Sequence, residues 1–278
     1  MKVFLILIFF ITYAFSCDNG LLPHNRFKIS KFRRTGITEA QFKEGIKKFE
    51  KAFEDKLWRE LDKELIVYHS WASSTVNAYA DQKPKKYEIT IFGGVARFPG
   101  MTQDAFSTVL CHELGHHLGG EPRKNANKWS SVEGQADYYA MMKCLRELWK
   151  NDDNVSIVKK LKLPTEVMRS CALAFKAKNK RALCMRSAYA GLKTARFLQK
   201  LEEESIPPEF HTPDPLEVPN TLLLWPSPQC RLDTYYEGSR CPVSKDIPFD
   251  SYSRKKGACN RKSKRVDFGT RPKCWYKP

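Results

Sequence analysis

His112-Glu113-Leu114-Gly115-His116, followed by Glu133-Gly134-Gln135-Ala136-Asp137, is the stretch whose reading decides this chain. Residues four apart on a helix lie one above the other, so both histidine rings can reach one cation. Glu113 falls close to the same face, within reach of a water beside that cation. A catalytic zinc takes three protein ligands and keeps a fourth position open. Glu133, on a second helix, is the expected third ligand. Asp137, four residues on and on the same side, orients a ligand histidine through its other ring nitrogen. The expected complement is one zinc ion per chain.

The neighbourhood supports a helix over Thr102 to Leu118. Thr102 is a capping residue, Asp104 suits a first turn, and Gly119-Gly120 ends the run. Phe106, Val109, Leu110 and Leu114 form an apolar stripe, with the histidines on a polar flank facing a cleft. Competing readings exist for the third ligand. Ser130 lies three residues before Glu133, so the pair also fits a capping box, and His211 and Glu121 are rival ligands. Pro122 stands where the metzincin spacing places a third histidine. His117 points toward the apolar stripe and reads as a hydrogen-bonded core histidine. His24 and His69 read as structural.

The motifs occur in an order that resembles the gluzincin metallopeptidases. They are most similar to the group containing the CAAX prenyl endopeptidases, the HtpX-like proteases and their soluble periplasmic relatives. Val76-Asn77-Ala78-Tyr79-Ala80 is similar to that family's NAFA-like segment, and Glu88 to Val95 to the strand after it. Glu133 with Ala136-Asp137 matches its ExxAD motif. The resemblance spans Val76 to Leu145, about a quarter of the chain. It implies an α+β, zincin-like domain: a small twisted sheet, the zinc helix beneath it and the Glu133 helix alongside. It also implies peptide-bond hydrolysis with Glu113 as general base. A strand over Tyr87 to Phe98 then borders the cleft, and an extended substrate pairs with its free edge. Gly93-Gly94 marks either a close backbone approach or a bulge. An oxyanion-stabilising donor is expected, with Tyr138, Tyr139, His211 and Arg231 as candidates. The chain departs from the family in having no apolar run long enough to span a bilayer and in its cysteine-rich C-terminal third.

The N-terminus reads as an export signal over residues 1–16: Lys2, an apolar run from Val3 to Phe15, and a small-x-small site at Ala14-Phe15-Ser16. Cys17 directly after it raises lipid attachment as the alternative to free secretion. Nine cysteines suit an oxidising compartment. If Cys17 stands apart, eight remain for four disulfides, although a buried Cys111 thiol satisfies the parity equally well. Local pairs such as Cys230 with Cys241 are expected. Cys171 and Cys184 join two helices, or tie one of them to the Cys144 helix.

The formal charge of +17 falls to +16 when Lys2 leaves with the signal. Part of the excess is concentrated at the end: Ser251 onward carries ten Lys or Arg residues against Asp267 alone. Such a surface favours anionic partners, above all cell-wall polymers or lipopolysaccharide. No nucleic-acid motif frames Arg261-Lys262-Ser263-Lys264-Arg265, so nucleic acid is not the expected partner.

Thr38-Glu39-Ala40-Gln41 opens a helix whose apolar residues run Phe42, Ile46, Phe49, Phe53, Leu57, Leu61 and Leu65. Leu65 to Trp71 reads as a strand, and Thr165 to Lys178 and Arg181 to Glu204 as helices. Beyond Ile206, Pro207, Pro208, Pro213, Pro215, Pro219, Pro226 and Pro228 argue against a long regular helix. The expected organisation is a catalytic domain over 17–204 and a Cys/Pro-rich basic region over 205–278. That region either wraps the domain or forms a disulfide-stapled module.

Overall fold

The computed structural model describes residues 20–23, 25–124, 129–260 and 268–278. The signal, Cys17, His24 and the basic run 261–265 lie outside the described residues. The architecture is α+β. α1 (Glu39–Leu61) leads into β1 (Glu64–Ser70), β2 (Ala78–Lys83) and β3 (Lys86–Phe92). The strands form one sheet in the order β1-β3-β2, with β1 parallel and β2 antiparallel to β3. Thr38 and Gln41 cap α1 reciprocally, as their spacing requires. Phe42, Ile46, Phe49, Phe53 and Leu57 of α1 join Ile89 and Ile91 of β3 in the main core.

β3 stops earlier than the sequence suggests. Gly93–Arg97 is a helical turn, α2, not the end of a strand. A Cβ on Gly93 would sit 2.1 Å from the Trp71 carbonyl oxygen, and one on Gly94 2.2 Å from that of Thr75. The glycine pair therefore lets two backbones touch and turns the chain out of the sheet. β3 is also the central strand, so it has no free edge; the edge strands are β1 and β2.

α3 (Gln103–Leu118) runs from its Thr102 cap to Gly119 as expected. It has no exposed polar flank: every residue from Ala105 to His117 is buried. α4 (Glu133–Tyr139) crosses it and continues through a π turn (Ala140–Cys144) into α5 (Leu145–Leu148). The crossing depends on Gly115, where a Cβ would lie 2.7 Å from the Ala136 carbonyl oxygen. Ser130 does not cap α4; Val132 occupies that position, so the capping-box reading of Glu133 falls.

α6 (Asn154–Val158) and α7 (Thr165–Ala174) precede α8 (Lys178–Leu201). α7 stops short of Lys178, and α8 starts and ends three residues earlier than expected. Arg186 of α8 ties these parts together, with Asp104 at 2.8 and 2.9 Å and Asp152 at 2.7 Å.

The proline-rich region ends in a helix the sequence reading did not expect, α9 (Pro228–Arg240). Pro228 stands in its first turn, where the missing N–H has no partner to lose, and Ser227 caps it. Leu232 and Tyr235 of α9 belong to the main core, so this segment wraps the rest of the chain.

Four disulfides are present: Cys111–Cys144, Cys171–Cys184, Cys230–Cys274 and Cys241–Cys259. Cys111 is thus no free thiol. Cys230 and Cys241 cannot pair, because α9 holds residues eleven apart about 16 Å from each other. Four disulfides point to an oxidising compartment.

Gly115→Ala should force α3 and α4 apart and cost about 1–3 kcal/mol, the usual penalty of overpacking. Denaturant unfolding of the purified variant measures this.

Candidate metal centre

α3 and α4 bring His112, His116 and Glu133 together with ligand atoms all within 4.8 Å of one another. His112 Nε2 lies 3.2 Å from Glu133 Oε2, and His116 Nε2 3.6 Å from Glu133 Oε1. The other ring nitrogens are taken. His112 Nδ1 is 2.7 Å from Asp137 Oδ1, and His116 Nδ1 donates to the Ser131 carbonyl at 2.9 Å. With Nδ1 engaged by an acceptor, Nε2 is the nitrogen left to face the group.

All four motif residues, Glu113 included, are 0% exposed. Yet His112 Nε2, His116 Nε2, both Glu133 oxygens and both Glu113 oxygens have no hydrogen-bond partner. Buried polar atoms are rarely left so, because each costs about 1–3 kcal/mol. Several of them converging from two helices fit a cation, and two imidazoles with a carboxylate are a donor set zinc accepts. The group can therefore hold a metal ion.

The electrostatics follow from burial and close partners. Burial works to lower His112, but the Asp137 carboxylate outweighs it and holds the imidazole up at about 9. At His116 burial outweighs the pull of Glu133 and pushes the imidazole down to about 3. Burial would raise Glu133, yet His116, His112 and Lys124 keep it well below the usual carboxylate range. For Glu113, burial outweighs the pull of the His112 charge and raises it to about 8.

Beyond the ligands, the structure gives the other candidates different places. Asp137 does hold His112. Arg231, weighed as a donor to the reacting carbonyl, is instead a brace for Asp137: its Nε and Nη2 donate to the two carboxylate oxygens at 2.8 Å each. The Tyr138 hydroxyl donates to the Gly269 carbonyl and takes the Cys259 amide at 3.3 Å, so it is committed to the C-terminal wrap. Tyr139 packs in the core beside Phe249. His211 is exposed and sits 3.1 Å from Glu209, and Glu121 turns toward Arg254. Neither rival joins the metal group. His117 is stacked between Tyr87 and Trp129, at 4.4 and 4.7 Å, and its Nε2 donates to the Glu88 backbone carbonyl at 3.3 Å. It is the core histidine its position predicts. His69 meets Phe42 edge to face.

The sequence reading missed Lys124. Its buried ammonium stands 3.0 Å from Glu133 Oε1, from a loop nine residues ahead of α4. No periodicity marks a loop side chain, so nothing in the sequence announced it. Comparison with family models, curated proteins and solved structures finds no match to this chain.

Two outcomes follow. Arg231→Met breaks a buried ion pair, leaving His112 as the charged partner of Asp137, and should cost about 3–5 kcal/mol in a denaturation experiment. The second concerns Glu113 in metal-free protein. The folded chain holds this carboxyl at about 8 and its ordinary value is 4.5, so the unfolded state sheds the proton first. Stability from this group therefore falls as pH rises between those values. The deficit of wild type relative to metal-free Glu113→Gln should widen from pH 5 to pH 8, as read by thermal unfolding.

Proposed function

We propose that the chain is an exported, zinc-dependent endopeptidase of the gluzincin type. The observation that carries this reading is the convergence of buried Nε2 and carboxylate atoms of His112, His116 and Glu133 within 4.8 Å of one another, with buried Glu113, next to His112 in the chain, feeling the charges of His112 and Glu133. A purely structural zinc is normally closed by four protein ligands. Here three ligands and a separate carboxylate are present, which is what hydrolysis needs.

Zinc bound there would supply Lewis acidity, polarising the scissile carbonyl and acidifying a water. The remaining work belongs to this chain's side chains. Glu113 takes a proton from the attacking water on a carboxylate oxygen and returns it to the leaving amine. Asp137 keeps the His112 Nδ1 proton in place, Arg231 holds Asp137, and the Ser131 carbonyl does the same for His116. The surrounding core excludes bulk water, which strengthens every charge interaction in the group.

Export fits the four disulfides and the apolar N-terminal run. All eight cysteines among the described residues are paired, leaving Cys17 as the odd one, available for lipid attachment. No helix among the described residues is long and apolar enough to cross a membrane.

A second reading is favoured by the complete burial of the centre: a non-catalytic metal-binding protein that attaches to anionic envelope polymers through its basic C-terminal region. Metal analysis combined with a peptide-cleavage screen separates the two. Glu113→Gln should retain one zinc per chain while losing about 10²- to 10⁴-fold in turnover. Glu133→Ala should lose the metal. Full hydrolysis by a folded, metal-replete Glu113→Gln protein would sink the peptidase mechanism. Zinc without cleavage in wild type, joined to salt-sensitive polymer binding, would favour the second reading.

A further inference from the structure

A cavity of about 430 Å³, within the usual size of small-molecule sites, lies beside the metal helices. None of the metal ligands lines it. Its apolar walls come from Phe53 and Leu57 of α1, Tyr87 of β3, Leu118 of α3, Tyr139 of α4 and Phe249. Glu60, Leu61, Asp246 and Pro248 also line it and are exposed, so the cavity opens to solvent.

Lys143 reaches this cavity from the π turn after α4. Such turns inside an α-helix are frequent at functional sites. The residue is 5% exposed, and its backbone is pinned, because the adjoining Cys144 is bonded to Cys111 of α3. Its hydrogen-bond partners are carbonyls, not carboxylates: Nζ donates to those of Ser244 and Ile247, at 2.6 and 2.7 Å. The Phe249 ring stands 5.0 Å from Nζ.

Two carbonyls match the two N–H bonds of a neutral amine and leave its lone pair for a third partner. An ammonium would have a third N–H to satisfy. Burial and the Arg146 guanidinium both favour the neutral form, against the pull of Asp246, and bring the amine down to about 7. The remaining charges around the cavity do not reverse this. Glu147 is taken by Lys150 and Lys245, at 2.5 and 2.7 Å, and Lys56 and Arg123 add positive charge. At neutral pH about half of such amines carry no proton, against roughly one in three thousand ordinary lysines.

We propose that Lys143 is a nucleophilic amine and that the cavity around it is a second reactive site, which takes aldehydes with an apolar chain and holds them as a Schiff base. Desolvation beside another cation is a recognised way to make a lysine nucleophilic. The lone pair forms a C–N bond with the carbonyl carbon. The carbonyl oxygen leaves as water with the two amine protons, and no oxidant or reductant is consumed. The aromatic and aliphatic walls take the chain out of water. Lys245 lines the same cavity, but Glu147 and Asp246, at 2.7 and 2.6 Å, keep it protonated. It is therefore the internal control.

The test treats purified protein at pH 7 with limiting hexanal and cyanoborohydride, which fixes an imine as a secondary amine. Peptide mass spectrometry then locates the labelled lysines. Lys143 should label at least ten-fold faster than Lys245, and unfolding in guanidinium chloride should abolish the difference. Glyoxylate, a charged aldehyde without a chain, should show no such preference. Lys143→Arg keeps a cation but cannot form an imine, so it should lose the fast label with little change in unfolding midpoint.

Labelling of Lys143 no faster than of Lys245 in the folded protein overturns the proposal, as does a preference that survives unfolding. Equal selectivity with glyoxylate overturns the choice of an apolar chain. Should Lys143→Arg fail to fold, the wild-type map decides alone. The metal ligands take no part, so the result does not depend on whether the chain cleaves peptides.

Discussion

A fully buried carboxylate is the most demanding object in this molecule, and Glu133 is one. Left alone it would take up a proton or draw in water. The structure keeps it charged by surrounding it with His112, His116 and Lys124, each within 3.6 Å. Those groups then need support of their own. Asp137 and the Ser131 carbonyl hold the imidazoles from behind, and Arg231 neutralises Asp137. Each layer of charge calls for the next, and the last of them sits on a helix nearly a hundred residues downstream of Glu133.

That chain of compensation explains why the C-terminal region is wrapped around the metal helices and not set apart from them. α9 delivers Arg231 to Asp137 and places Leu232 and Tyr235 in the main core. The last residues follow: Trp275 packs against Val132, the residue before Glu133, and the Cys230–Cys274 bridge fastens it to α9. Closing a loop of this length contributes about 4 kcal/mol in the loop-entropy picture. The disulfides thus tie the wrap to the helices that carry the charges.

Close backbone approach is the second constraint. Gly115 lies inside the metal motif, yet it binds nothing; its hydrogen side chain lets α4 cross α3 near enough for Glu133 to meet both histidines. Gly93 and Gly94 do similar work at the end of β3. In both places a small residue sets a geometry that larger neighbours then exploit, which ties the fold to the site through packing as much as through charge.

The sequence by itself determined the local features. A capping residue and its partner act within one turn, so Thr38 with Gln41 and the Thr102 cap placed α1 and α3 correctly. The i, i+4 spacing put His112 and His116 on one face, and Asp137 in line behind the ligands. Apolar periodicity named the α1 stripe from Phe42 to Leu57 but carried it too far: Leu61 is exposed and Leu65 belongs to β1. What only the tertiary structure decided depends on residues far apart in the chain. Seven prolines hid α9, because whether Pro228 breaks a helix or starts one depends on where the helix begins. Arg231 read as a free donor until the fold brought Asp137 to it, and Lys124 had no pattern at all. Strand order decided that β3 is central and has no free edge, and the fold alone bridged Gly20 to Tyr79 on β2. The cysteine partners were open for the same reason: spacing counts residues, whereas a disulfide requires two Cβ atoms about 3.8 Å apart in space.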